Sequence, residues 1–388
     1  MRRAIALILL ALAAPAAAAG DLAADMGRSL FDRKWSTSAA DGLGPLYNER
    51  TCAACHKDGG PARFAAAPDG TLAIAGAVVR LADEHGRPDP FYGIQVQTHG
   101  TAGVEAEAAV DARLVPAAGG LARVDVTVKP FGPPLGEGVR AALRVAPSTR
   151  SAASIDRVDM AAVERLGVSK GRVRWFKDAS GQAVAGRFGW RAGQTSLTDQ
   201  VASAFMLDMG LSSPARPQPH GDCTAEQAAC LAVPAPGKVE YGGYEVSPEL
   251  VTLVADYVDS LDVTPDGPAP RNALFEAAGC AACHLPDAPV TGGGTVALFS
   301  DLMLHDMGEG LSDGMGEADV KPSEWRTPPL AAISKDASPT RRYLHDGRAA
   351  SIEEAIRWHG GEAEPARKAF EAMSKSDRDA LVAFVKSL

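Results

Sequence analysis

Apolar positions in this chain follow two rhythms. Helical spacing marks the stretch from Ala24 to Phe31, where Met26, Leu30 and Phe31 lie near one face, and helical texture returns from Asp159 to Leu166. It is clearest after Ser247-Pro248-Glu249, a helix start with proline at the first helical position. There Leu250, Val254, Tyr257, Val258 and Leu261 form one stripe. Further helices are predicted over Ala273–Ala277 and from Ser376 to Leu388. The second rhythm is alternation, in residues 72–81, 93–98, 108–114 and 123–129, sharpest in Val124-Asp125-Val126-Thr127-Val128. Gly and Pro punctuate these runs. The pattern predicts a β-rich insertion at about 70–150 within an otherwise helical first half.

The two halves echo each other. Tyr257-Val258-Asp259-Ser260-Leu261 and Phe384-Val385-Lys386-Ser387-Leu388 both read aromatic, valine, charge, serine, leucine. Arg187-Phe188-Gly189-Trp190 and the residues 195–201 after it resemble Arg342-Tyr343-Leu344-His345 and residues 350–356. Asp208-Met209-Gly210 recurs as Asp306-Met307-Gly308, but at a non-equivalent offset. Pro265, Pro268 and Pro270 mark a linker over 263–271. The expectation is an internal duplication, with domains at 20–262 and 272–388.

A chain of 388 residues suits two or three domains. Residues 1–19 read as a cleaved secretory signal: Arg2 and Arg3, the apolar run Ile5–Leu10, then small residues ending at Ala19. That run is too short to span a bilayer and nothing later is long enough, so no membrane insertion is expected and the expected location is the periplasm. The formal charge of −9 becomes −11 once Arg2 and Arg3 are removed (−9 − 2), which argues against nucleic acid and anionic membranes as partners. Of six cysteines, Cys223 and Cys230 suit a local disulfide in an oxidising compartment, the other reading being two free thiols. With 40 Gly and 27 Pro, much irregular backbone is expected, as where a large cofactor replaces part of the apolar core.

The remaining four cysteines carry the chemistry. Cys52-Ala53-Ala54-Cys55-His56 and Cys280-Ala281-Ala282-Cys283-His284 both match Cys-x-x-Cys-His, the attachment signature of c-type haem. Two thiols add to the porphyrin, and the adjacent histidine, His56 or His284, is the proximal iron ligand. Two covalent haems in duplicated halves give the expected fold class: mainly α, two cytochrome c-like domains, with the β-rich insertion in the first.

Several longer strings support a resemblance: Gly186-Arg187-Phe188-Gly189-Trp190, Asp208-Met209-Gly210-Leu211, Leu304-His305-Asp306-Met307-Gly308, Trp325-Arg326-Thr327-Pro328-Pro329-Leu330, Tyr343-Leu344-His345-Asp346-Gly347-Arg348 and Trp358-His359-Gly360-Gly361-Glu362-Ala363. With the haem motifs they resemble the bacterial di-haem cytochrome c peroxidase superfamily, and more narrowly its branch of peroxidase-like "di-haem oxidoreductases" or "thiol oxidoreductases". The resemblance implies one electron-transfer haem and one reactive haem. His359 falls where di-haem peroxidases carry a methionine ligand, so a second haem with two axial histidines is implied, with His305 or Met307 as the rival donor.

The first haem decides between catalyst and carrier. No His or Met lies between Lys57 and Glu84, where peroxidases place a displaceable ligand, so this iron is either open or ligated by Met209, Met206, His99 or His85. Trp190, Gln200 and Asp208 fall where the superfamily has an inter-haem tryptophan, a distal glutamine and a distal acid, although that acid is usually Glu. A carboxylate whose pKa is raised beside a haem can shuttle the proton that O–O cleavage requires. Arg348 is expected to shape the cavity or contact propionates, and Thr327 and Pro328 to resemble a calcium-binding segment. The function read here is a periplasmic di-haem oxidoreductase acting on peroxide or another oxidisable substrate, with a small redox protein or quinone-linked electron partner. The alternative is a two-haem electron-transfer protein with both irons six-coordinate.

Overall fold

The computed structural model describes residues 16–36, 42–101, 103–234, 237–238 and 241–388; the apolar run Ile5–Leu10 of the expected leader lies outside them. Three helices, α1 (Ala16–Asp32), α2 (Leu197–Met209) and α3 (Pro248–Ser260), organise the first half. Helix α3 begins where the Ser247 hydroxyl accepts from the Leu250 N–H at 3.3 Å, with Pro248 at the first position. Its buried residues are Val251, Val254, Ala255, Tyr257 and Val258, each large one contributing roughly 1.5–3 kcal/mol by leaving water. Phe31 of α1 meets Tyr257 edge to face, centroids 5.2 Å apart. The two backbones touch at Gly27, where a Cβ would lie 1.9 Å from the Leu253 carbonyl oxygen. Phe205 and Met209 of α2 join the same core with Trp35, Leu43 and Tyr47, and Cys52 and Ala53 pack on its edge.

Strands β1 (Ala77–Ala82), β2 (Ala108–Pro116), β3 (Ala122–Pro130) and β4 (Arg140–Val145) pair antiparallel as β1–β4 and β2–β3. Along β3, Val124, Val126 and Val128 are half-buried while Arg123, Asp125, Thr127 and Lys129 face solvent, which is the period of two seen in the sequence. These ribbons share a second core, with Phe64, Leu81, Tyr92 and Leu143. An ion cluster ties this region to the second half: Asp313 pairs with Arg144 of β4 and, at 3.0 Å, with Arg191.

The second half contains α4 (Ala273–Ala277), α5 (Ile352–Arg357), α6 (Glu364–Ala372) and α7 (Lys375–Ser387) around Phe275, Phe299 and Phe370. It also contains β5 (Leu304–Asp306) and β6 (Glu324–Arg326), which pair antiparallel with His305 opposite Trp325.

The expectation of a mainly α fold of two cytochrome c-like domains is overturned. Of the described residues 30% are helix and 21% strand or isolated bridge, the strands lying in several small antiparallel sheets. Strand pairs are not confined to the insertion: Trp175–Lys177 pairs with Ala183–Ala185, and Ala288–Pro289 with Thr295–Val296. Helical rhythm is strongest near the ends of each half. Between those ends Gly and Pro cut the chain into runs mostly too short to nucleate a helix, and short ribbons satisfy the backbone instead.

One piece of local geometry recurs in both halves. Phe188 bridges Gln194 as Tyr343 bridges Ala349. Gly189 and Leu344 both take left-handed φ, 73° and 71°. Ser196 caps the Asp199 N–H and Ser351 the Glu354 N–H, both at 3.1 Å. In this register Trp190 corresponds to His345, and Ala204 to His359.

Candidate haem sites

Both Cys-x-x-Cys-His motifs fold as one tight turn. The His56 N–H donates to the Cys52 carbonyl at 2.9 Å, and the His284 N–H to the Cys280 carbonyl at 3.0 Å. Each turn therefore gathers two sulfurs and an imidazole on neighbouring positions, the donor set that haem attachment needs.

At the second motif the structure brings His284 and His359 together, ring centroids 6.4 Å apart and planes tilted by 43°. A metal ion held by one nitrogen of each ring, at about 2 Å from each, would fit that gap. Each ring is anchored through Nδ1, which lies 3.1 Å from the Phe299 carbonyl oxygen in His284 and 2.7 Å from the Ala355 carbonyl oxygen in His359. That tautomer leaves both Nε2 atoms as metal donors. Burial lowers both pKa values, His284 to about 4, so both imidazoles are neutral and able to ligate. His305 does not compete, because its Nε2 lies 2.9 Å from Asp301 Oδ2 and its Nδ1 2.8 Å from Glu362 Oε2. Burial opposes a charge there, but the hydrogen bonds to Asp301 and Cys283 outweigh it and push the imidazole up to about 11.

At the first motif, burial lowers His56 to about 4, partly offset by the Pro147 and Gly60 backbone. Its Nδ1 is buried without a hydrogen bond of good geometry, again a neutral imidazole. Asp208, on α2, accepts a 2.9 Å hydrogen bond from Gln95 Nε2 at Oδ1. Burial pushes its carboxyl up, opposed by Gln95 and Arg80. Burial, and then the Asp208 charge, also raise the Cys52 thiol to about 12 and the Cys55 thiol further, so Asp208 sits beside the motif. Backbone bonds fix that end of α2: the Asn48 N–H donates to the Asp208 carbonyl and the Gly44 N–H to the Met209 carbonyl, at 2.8 and 2.9 Å. Met209 itself is buried in the core cluster that borders Cys52.

Gln200 sits elsewhere on the helix. Its Oε1 is buried without a partner and lies 3.9 Å from where a Gly189 Cβ would be, beside the turn that carries Trp190. About two helical turns, roughly 12 Å of axis, separate it from Asp208. Trp190, Gln200 and Asp208 thus form a string along α2 and its preceding turn, with Asp208 held by Gln95 rather than by Gln200. Gln95, fully buried, had no signal beyond strand alternation in the sequence.

Trp190 donates from Nε1 to the Val145 carbonyl at 2.8 Å and meets His345 edge to face, centroids 6.5 Å apart. His345 stacks on Trp325 at 3.7 Å and 8°. The Arg144 and Arg191 guanidinium groups lie over Trp325, 4.8 and 4.4 Å from its ring. Burial, then Arg144, Arg348 and Arg191, hold His345 well below the usual histidine range, so it is neutral. Trp325 was visible in the sequence only as part of a family string.

Arg348 is committed to protein partners: Asp346 Oδ2 at 2.8 Å, the Gly310 carbonyl at 2.6 Å and the face of Trp358 at 4.6 Å. With Trp358, His345 and Arg140 it lines a cavity of about 610 Å³. The Thr327 carbonyl accepts from Ser300 Oγ at 2.7 Å and from Arg326 Nη1 at 3.2 Å. An oxygen already facing a guanidinium does not fit a calcium ligand. Cys223 and Cys230 form a disulfide.

Two such turns, one of them facing a second imidazole, define a haem-carrying redox protein. A family model described as "Di-haem oxidoreductase, putative peroxidase" matches residues 152–388, and the chain belongs to that family. The matched region holds the second motif and α2; Cys52–His56 and strands β1 to β4 precede it. No curated protein and no solved structure matches the chain.

Proposed function

We propose that this protein is a periplasmic di-haem oxidoreductase carrying two covalent c-type haems, one closed and electron-holding, the other open and reactive. Cys280, Cys283, His284 and His359 hold the closed one; Cys52, Cys55 and His56 hold the other. Bound haem supplies one-electron redox chemistry and, where an axial position is free, a Lewis-acidic site for peroxide.

The observation that carries this reading is the repeated turn. In its register the residue matching His359 is Ala204, a methyl group with no donor atom. At that position the first half offers no donor to an iron.

The chain's own groups suit proton handling at the open site. Gln95 Nε2 occupies Asp208 Oδ1, which leaves Oδ2 to take and return a proton, and burial raises the pKa toward the working range. The unpartnered Gln200 Oε1, about two helical turns from Asp208, can accept a hydrogen bond only at a separate point along α2. The edge contact of Trp190 with His345 offers a path between the halves. A small redox protein or a quinone-linked donor would supply electrons.

Pyridine haemochrome analysis should give two haems per chain. Cyanide or peroxide added to the ferric protein should then perturb one haem and leave the other unchanged. If neither responds, both irons are closed and the protein is an electron carrier.

A further inference from the structure

The second site contains a buried ionic triad. Asp301 is 0% and His305 2% exposed, and both nitrogens of His305 face carboxylates, Asp301 on one side and Glu362 on the other. Asp301 is tied to the proximal motif: its N–H donates to the Cys283 carbonyl at 2.9 Å. Its two oxygens accept from the Met303 N–H at 3.0 Å and from Ser169 Oγ at 2.9 Å. Glu362 lies in the loop that carries His359, and its other oxygen accepts from the Asp306 N–H at 3.3 Å. Gly171 leaves room for the ring, since a Cβ there would lie 2.4 Å from His305 Cε1. Gly361 brings the loop against β5, where its Cβ would lie 2.2 Å from the Asp306 carbonyl oxygen.

We propose that His305 is a positioning residue that clasps the His359 loop to the proximal side of the second haem, through Glu362 and Asp301, and so keeps that iron closed to outside ligands. The proposal rests on the reading of His359 as an axial ligand. The loop has little structure of its own, one 3₁₀ turn over Gly361–Ala363 after Gly360. Buried ion pairs add little net stability compared with apolar packing, but they hold groups at one distance and angle. Loss of one charge-assisted hydrogen bond of this kind should raise loop opening roughly tenfold to a hundredfold.

The test uses the purified di-haem protein with His305→Ala and, separately, Glu362→Gln, which removes the outer charge while keeping the side-chain shape. In both variants hydrogen exchange of the 359–363 amides should speed up at least tenfold. The ferric second haem, which should be silent toward cyanide in the unsubstituted protein, should gain a cyanide-binding population, and its electron-paramagnetic-resonance signal should broaden or split. The first haem should keep its spectrum. If both variants load two haems and show unchanged exchange and an unchanged second haem, the clasp is wrong. Should His305→Ala fail to accumulate, the same two measurements on Glu362→Gln alone decide the matter. A separate His359→Ala variant checks the underlying ligand reading: an unchanged second-haem spectrum there refutes that reading, and loop exchange in the clasp variants still decides the role of His305.

Discussion

Trp190 and His345 occupy the same place in two copies of one turn, and they meet edge to face with ring centroids 6.5 Å apart. Equivalent positions of a duplicated unit meet where the copies face each other, as at an isologous interface. Here that junction joins the β-rich region and the turn before α2 to the second half of the chain. Trp325 completes the stack, but two guanidinium groups cover it.

That difference predicts unequal roles. Positive charge over an indole face disfavours removing an electron from it, so Trp190, not Trp325, should carry charge between the halves. Trp190→Phe should slow electron transfer between the haems about tenfold or more in stopped-flow reduction, while Trp325→Phe changes it by less than about threefold. Each should cost on the order of 1 kcal/mol of stability for the lost indole hydrogen bond.

His359→Ala should open the second iron. The variant should lose its low-spin signal at that haem, and the haem should become responsive to cyanide. Met209→Ala should leave the first haem's absorption unchanged, because Met209 is core packing in this reading, and should cost about 2–5 kcal/mol of stability in denaturant unfolding.

Asp313 neutralises two buried guanidinium groups, Arg144 and Arg191. Asp313→Ala would leave both cations facing each other out of water. Unfolding in urea should show a loss of roughly 3–5 kcal/mol, and limited proteolysis should show the β1–β4 region loosening first.

Glu107 accepts from the Gln97 N–H and from Gln227 Nε2, both at 2.6 Å, yet burial pushes its pKa up to about 8. A carboxyl raised on folding binds more protons in the native state than in the unfolded chain. Its contribution is therefore complete below the ordinary glutamate pKa and is lost as pH rises through about 8. Glu107→Gln should flatten the fall in stability between about pH 5 and 8, by roughly 1–3 kcal/mol across that window, measured by denaturant melts at several pH values.

How much of the molecule is legible in the chain depends on the range of each signal. The α3 stripe, its Ser247-Pro248 start and the alternation of β3 can be read directly, because a period shows itself within a few residues. Strand β5 cannot be, since three residues are too short to carry a period. The mainly α expectation failed for the same reason: helices announce themselves through periodicity, and short paired segments do not. His359 was singled out by its place in a family string, and nothing beyond strand alternation marked Gln95.

The amino-acid sequence alone determined the two Cys-x-x-Cys-His turns, because two sulfurs and an imidazole within five consecutive residues take their geometry from one turn of backbone. It determined the helix starts and the repeated turn on the same local grounds. Only the tertiary structure decided that His305 is locked between Asp301 and Glu362, that Asp208 answers to Gln95, and that Trp190 touches His345. Those pairings join residues far apart in the chain, and packing chooses them by excluding water from one arrangement of neighbours.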